Sequence, residues 1–351
     1  MSDNNEVPGQ PALGGGSFAA RLRLPLQLAV VLVVLMAISL SVGAVGLPLG
    51  DIIGGLVGGA DEPANVIIQE IRLPRTLLAC VVGATLGLAG AALQGLLRSP
   101  LASPFVLGAP VAAALFAVVA VAVGLAGAAS TGLSFAAILG AVTSVGLLVL
   151  VAGPRASLIV LVLAGLAVTT LAATGTALAI TLAPERFSTA EISFWLLGSL
   201  EARSASHLWL VLPFLAASWA LLFWDRVAYR ALALGEEAAE SLGIDLRLVR
   251  LRVVSGVAIG VGASVAVTGA IGFVGLVAPQ LVRPLVGHDP ARLLIPAALA
   301  GAALLVAADI IARLASSAGE INVGVVTALI GVPIFILLLL RQRRVLVGAP
   351  T

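Results

Sequence analysis

The 351-residue sequence predicts an all-α, polytopic membrane protein with ten transmembrane helices, and three observations carry that expectation. The first is composition. Hydrophobic residues make up 60% of the chain and charged residues 10%, against roughly a quarter charged in an ordinary soluble domain. A surface so poor in charge cannot keep a protein of this size in water, so the solvent is lipid. The second is the length of the apolar runs, since a helix needs about 20 apolar residues to cross ~30 Å of hydrocarbon. The third is the placement of arginine. All 19 basic residues are arginine, and arginine beside a span prefers the cytoplasm.

Nine runs are long enough: 26–47, 76–97, 105–126, 133–152, 157–182, 208–224, 253–273, 293–311 and 323–340. A tenth, 274–286, is apolar but short and broken by Pro279 and Pro284. Arg21 and Arg23 precede the first run, and Arg341, Arg343 and Arg344 follow the last. Both ends inside requires an even number of crossings, so 253–286 crosses twice. The loops then sort with 14 of the 19 arginines inside and five (Arg72, Arg75, Arg186, Arg203, Arg313) outside. Residues 1–25 read as a disordered cytoplasmic tail, 26–341 as the membrane domain with a cytoplasmic connector at 225–252, and 342–351 as a second tail. The first apolar run is too long and starts too late for a cleaved signal peptide. The chain is expected in the bacterial inner membrane.

Composition also excludes functions. Cys80 is the only cysteine, and His207 and His288 are far apart in sequence. No intrachain disulfide, metal site or cofactor is expected. A net charge of +2 gives no case for nucleic acid. Ionisable residues inside spans mark ion and proton pathways, and no carboxylate lies at a likely midplane here; Asp309 sits near the outer end of the ninth run. That counts against an ion-coupled carrier and against a membrane enzyme, and no catalytic residue is expected. Uphill movement would draw on another subunit. The chain is not itself an ATPase, because a Walker motif needs lysine and there is none.

Four segments stand out. In the connector, two short helical pieces separated by Gly235 and closed by Gly243 carry Ala233, Leu234, Ala238, Ala239 and Leu242 among glutamates, as a docking element for a cytoplasmic partner would. Arg72 and Arg75 flank Pro74 just outside the second span, with Arg313 at another outer helix end, either as interfacial anchors or as a basic rim for an external partner. Residues 268–283, with Gly269, Gly272, Gly275, Pro279 and Gln280, interrupt a membrane segment. Broken backbone is tolerated where it faces protein or a water-filled cavity, so this stretch is a candidate pathway lining or hinge. Residues 191–200, with Trp195, suit a short interfacial helix. Gly83-x3-Gly87 and Gly256-x3-Gly260 are expected at tight helix contacts.

Together these segments resemble the permease family of ABC importers for iron-siderophores, haem and vitamin B12, the type II importers. The shared pattern runs from Arg72-Leu-Pro-Arg75 through Gly83, Gly90, Gln94 and Arg98-Ser-Pro-Leu-Ala-Ser-Pro104. It continues with Phe194-Trp-Leu-Leu-Gly-Ser-Leu200, Ala239-x-Ser-Leu-Gly243 and Gly269-Ala-Ile-Gly-Phe-Val-Gly-Leu-Val-Ala-Pro279, and ends with Asp309, Arg313, Glu320, Gly324 and Gly331-Val-Pro333. The resemblance implies a second permease subunit, identical or paralogous, two cytoplasmic ATPase subunits and an external solute-binding protein. It implies that Arg72, Arg75 and Arg313 meet that binding protein, and that Ala233, Leu234, Gly235, Ala238, Ala239, Leu242 and Gly243 couple to the ATPase. Ser99, Gln280 and Asn322 depart from the family's usual Asn, His and Pro. Ser103-Pro104 inclines the expectation towards a ferric siderophore as cargo, with haem or cobalamin as the alternative. A ten-helix secondary carrier in two inverted halves is the rival class.

Overall fold

The computed structural model describes residues 18–43, 45–59, 61–125, 131–153, 158–182, 196–315 and 321–347. Expectations resting on residues 1–17, Arg155, Arg186, Trp195 and Glu320 lie outside the described residues. Every element among the described residues is helical. Helix α1 (Phe18–Ser41) is followed by two short helices, α2 (Leu49–Val57) and α3 (Glu62–Val66), and a π-helical turn, Ile67–Arg72, leads into α4 (Leu73–Leu96). A 3-10 turn, Pro104–Leu107, precedes α5 (Ala109–Ala122), α6 (Thr131–Ala152) and α7 (Leu158–Leu182). Then come α8 (Ala205–Trp224), the short α9 (Arg226–Leu232) and α10 (Glu236–Ser241), and α11 (Leu246–Thr268). The chain ends with α12 (Val274–Val282), a 3-10 turn Arg283–Val286, α13 (Pro290–Ala315) and α14 (Val323–Val347).

Eight helices among the described residues are long and apolar enough to cross a bilayer, and two apolar segments, Ala109–Ala122 and Val274–Val286, are shorter. The run at 105–126 yields the shortened α5 for a local reason. Gly108 takes φ +74 and ends the 3-10 turn, so the helix begins only at Ala109. The run at 253–273 is displaced towards the N-terminus. Asp245 accepts the N–H groups of Arg247 and Leu248 and starts α11 at Leu246, and Gly269, at φ +67, stops it after Thr268. Helix formation there is set by a cap and a glycine, not by where the apolar residues begin.

Burial separates a core from a ring. The membrane stretch of α4 is 83% buried and that of α11 is 78%, whereas α1 is 17% and α8 22%. Association of helices in lipid comes from close van der Waals packing rather than from a hydrophobic drive, so small residues mark the contacts. A Cβ on Gly83 would overlap the Gly301 carbonyl oxygen, and one on Gly87 would overlap that of Ala297. Helices α4 and α13 therefore touch backbone to backbone. On another side of α4, a Cβ on Gly90 would overlap the Gly275 carbonyl of α12. The second glycine pair packs α11 on α8. Gly256 faces Leu221 and Leu222, Gly260 faces Ser218, and the Ser218 hydroxyl donates to the Gly256 carbonyl at 2.6 Å.

Gly90→Ala is expected to destabilise the protein by about 1–3 kcal/mol, because backbone on the facing helix must move. Gly146→Ala, where a Cβ meets nothing within 4 Å, is the control and leaves stability unchanged or slightly raised. Thermal unfolding of the detergent-solubilised chain measures both; equal midpoints would show that the α4–α12 contact is not tight.

Candidate functional site

Functional groups gather at both ends of α4. At its start, α4 meets the C-terminal ends of α1 and α13. Arg72 is 4% exposed. It donates to the carbonyls of Leu40 (2.8 Å), Ser41 (3.2 Å) and Val45. These include the last carbonyls of α1, which have no intrahelical partner. Arg313 donates to the carbonyls of Ser39 (2.8 Å) and Val42 (2.9 Å) and to the Ser39 hydroxyl, which also bonds Thr76 at 2.7 Å. Arg75 gives Nε and Nη2 to Oδ1 of Asp309 at 2.9 and 2.8 Å. The Asp309 side chain is fully buried, and Arg313 approaches its Oδ2 at 2.9 Å.

The expected exposed rim is corrected by this geometry. The guanidinium groups of Arg72, Arg75 and Arg313 are turned inward and engaged by α1 and by Asp309. The reason is not local: their acceptors are supplied by α1 and α13, up to 274 residues away in sequence. The cluster is a clamp holding three helix ends together, and a docking role for it becomes a proposal about a shaped surface rather than about unengaged charges.

At the finish of α4, the connector folds as two short helices, with Gly235 between them at φ +116 and Gly243 after them at φ +80. Ion pairs bind it to the bundle: Arg230 to Asp289 at 2.8 Å, Glu236 to Arg250 at 2.8 Å, and Arg252 to Asp225 at 2.6 Å. Burial opposes the charge of Asp289, but the hydrogen bonds from Arg230 and the Ala291 N–H hold its carboxyl below the ordinary range. Tyr229 is fully buried against Gly95 and donates to the Leu222 carbonyl at 3.1 Å. Burial and the neighbouring Asp225 push its phenol up. The coupling candidates divide. Leu234 and Leu242 are 73% and 67% exposed, whereas Ala239 is 0% exposed. Ala239 cannot meet a partner; a bulky residue there would disturb the protomer's own packing. Ala233 and Gly243 are exposed, and Gly235 and Ala238 are half-buried.

The interrupted segment lies between these ends. Beyond Thr268 the chain is irregular until Phe273, whose φ of +65 precedes α12. The Ser199 N–H donates to the Thr268 carbonyl at 2.8 Å, and the Gly324 N–H to the Gly198 carbonyl at 3.2 Å, so the broken backbone lies beside strands of main chain from two other regions. Gly269, Gly275 and Pro279 are buried within the protomer, and Gly272 and Gln280 are half-buried. The Gln280 amide donates to Gln94 Oε1 at 2.9 Å and to the Pro100 carbonyl at 2.6 Å. This stretch is a packed junction. Its three buried residues line no open surface in the single chain.

Sequence reasoning located the α7 span but missed its threonine-bearing face. Thr170, Thr174 and Thr181 lie on its exposed face, and each hydroxyl donates to the carbonyl four residues back at 2.8–2.9 Å. The face interleaves these with exposed Leu163, Leu166, Leu171 and Leu178. The visible signal was five threonines in one span, at 169, 170, 174, 176 and 181; a search for charges passed over them.

The family model for the FecCD transport family matches residues 31–341. A vitamin B12 import system permease protein, BtuC, of Klebsiella pneumoniae is 38% identical over 318 residues, covering 90% of this chain and 93% of that protein. An uncharacterised ABC transporter permease protein, YvrB, of Bacillus subtilis is 37% identical over 296 residues, covering 83% of each. A solved structure described as a metal-chelate type ABC transporter in an inward-facing conformation superposes with a TM-score of 0.79 at 31% identity, covering 91% of this chain and 99% of that one.

Asp309→Asn is expected to cost about 3 kcal/mol, because it leaves the half-buried Arg75 and Arg313 without a counter-charge. The check is the unfolding midpoint in detergent, with Asp51→Asn, which belongs to none of the ion pairs among the described residues, as the unaffected control.

Proposed function

The chain belongs to the FecCD transport family and is a permease subunit of the ABC importer kind, and from that premise we propose how it is arranged and what it carries. The eight long helices and the two shorter apolar segments make ten crossings, with both termini and the connector at 225–252 in the cytoplasm. A second permease copy, identical or paralogous, packs against the α7 side. The single observation that carries this is the α7 face: hydroxyls and small side chains on the exposed side of a membrane helix suit a neighbouring protein or a wet pathway better than acyl chains. Leu234 and Leu242 enter a cleft of the ATPase subunit, which hydrolyses ATP; two such subunits serve the pair. The external binding protein meets the surface shaped by Arg72, Arg75 and Arg313.

The cargo is a metal chelate. Relatives named as vitamin B12 permeases over nine-tenths of their length favour a corrinoid. A ferric siderophore, the expectation from Ser103-Pro104, is the second reading, and haem the third. Labelled cobalamin, ferric siderophores and haem, offered to a strain lacking this chain and to the same strain complemented, decide among them. Cobalamin uptake restored only on complementation is the expected result; restoration of siderophore uptake alone would replace the corrinoid reading.

The coupling assignment has its own test. A cysteine at Leu242, in a chain carrying Cys80→Ser, is expected to react with a membrane-impermeant maleimide only from the cytoplasmic side. Its modification should abolish ATP-driven uptake while leaving the unfolding midpoint unchanged. Ala239→Trp, by contrast, should lower that midpoint by an amount equivalent to about 1–3 kcal/mol. Labelling from outside, or full uptake after labelling, would overturn the assignment.

A further inference from the structure

Where α4 finishes and α13 begins, a cleft of about 230 Å³ opens that the transport reading leaves unused. Its ionisable side chains are all basic, Arg98, Arg283 and His288, with Gln94 beside them. The carboxylates beside it are engaged elsewhere: Asp289 by Arg230, Arg292 and the N–H groups of Ala291 and Arg292, and Glu236 chiefly by Arg250 at 2.8 Å.

Two of these residues are held in unusual backbone. Arg98 has φ +50 and His288 φ +62, in the left-handed region that favours glycine. Arg98 follows the C-cap residue of α4, the position where helices most often place glycine. Keeping a long cationic side chain at Arg98, where glycine is the usual choice, points from the strain to a use for that side chain. Arg283 adds a third donor group. Its Nη2 donates to Gln94 Oε1, while its buried Nε has no hydrogen-bond partner.

We propose that this cleft is an oxyanion site that takes a phosphate group. Guanidinium groups present paired donors matched to phosphate oxygens, and the concavity admits one such group with its substituent. The phosphate has two possible sources. Leu281 and Leu285, 50% and 65% exposed on the adjoining segment, favour the headgroup of an anionic phospholipid, as basic pockets at the cytoplasmic surface of membrane proteins do; free phosphate is the other. The site is independent of the cargo. Ala233, the first residue of the coupling stretch, lines the same cleft, and Glu236 lies 4.0 Å from Arg98. A bound anion competes with Glu236 for Arg98 and so acts on the piece of chain proposed to meet the ATPase.

The test uses the full-length chain in its assembled transporter and the double variant Arg98→Asn/His288→Asn. Asparagine tolerates left-handed backbone, so the fold survives while the charge goes. Inorganic phosphate is titrated by calorimetry in detergent, and phosphatidylglycerol retention is followed by native mass spectrometry from phosphatidylcholine nanodiscs with and without that lipid. The expected result is binding to the wild type that weakens about tenfold or more in the variant and falls with added salt. Phosphate affinity identifies the free anion as the source; retention of phosphatidylglycerol without phosphate affinity identifies the headgroup. Equal binding in both proteins, or binding of neither probe to the wild type, overturns the proposal. Loss of ATPase assembly in the variant, with no anion bound by the wild type, would make the cleft a protein contact and overturns it as well.

Discussion

Helix α4 can lie against α13 and α12 only because its glycines let it reach their main chain, and the rest of the bundle is placed by that constraint. Gly83 and Gly87 meet Gly301 and Ala297, and Gly90 meets Gly275. Once those main chains touch, the start of α4 falls beside the C-terminal ends of α1 and α13, within reach of Asp309 and the α1 carbonyls. Its finish falls beside Tyr229, Gln280 and the arginines of the opposite cluster. In lipid no hydrophobic drive would restore the contact if a methyl group intervened, since acyl chains solvate apolar side chains equally well. The polar clusters at the two ends are therefore consequences of a contact in the middle.

Much of this was legible in the sequence. A shortage of charge required lipid, apolar runs of known length located the helices, and glycines four residues apart marked the tight crossings. The connector was legible because Gly235 and Gly243 punctuate it in both chain and structure. What could not be read was the direction of individual side chains. Nothing near Arg72 says that its acceptors are the last carbonyls of a helix more than 25 residues earlier. Nothing in the connector says that Ala239 faces inward while Leu242 faces out, because a short amphipathic helix has an apolar side whether it packs on its own protein or on another. The α7 threonines were in plain view but acquire meaning only once α7 is known to lie at the edge.

The two ends of the bundle use arginine differently. At the finish of α4, arginines meet carboxylates: Arg252 with Asp225, Arg250 and more distantly Arg98 with Glu236, Arg230 and Arg292 with Asp289. Each pair fastens one short element to a long helix, and the set fixes the connector relative to the bundle without burying it. At the start of α4 the cations outnumber their counter-charge, and main-chain oxygens make up the difference. Carbonyl dipoles at helix C-termini accept such cations well, because the macrodipole is negative there.

That surplus has an electrical consequence. Three guanidinium groups and one carboxylate leave two units of positive charge at the mouth of the bundle, compensated by dipoles and not by anions. Dipoles orient the charge without neutralising it, so the clamp carries a local positive potential, which Asp51, Asp61, Glu62 and Glu70 on the neighbouring short elements offset at a distance. Arginine keeps its proton throughout the physiological range, which makes that potential indifferent to pH, and its partial burial shields it from mobile salt better than a surface charge. The clamp therefore keeps its cations, and with them its hold on the ends of α1 and α13, across that whole range.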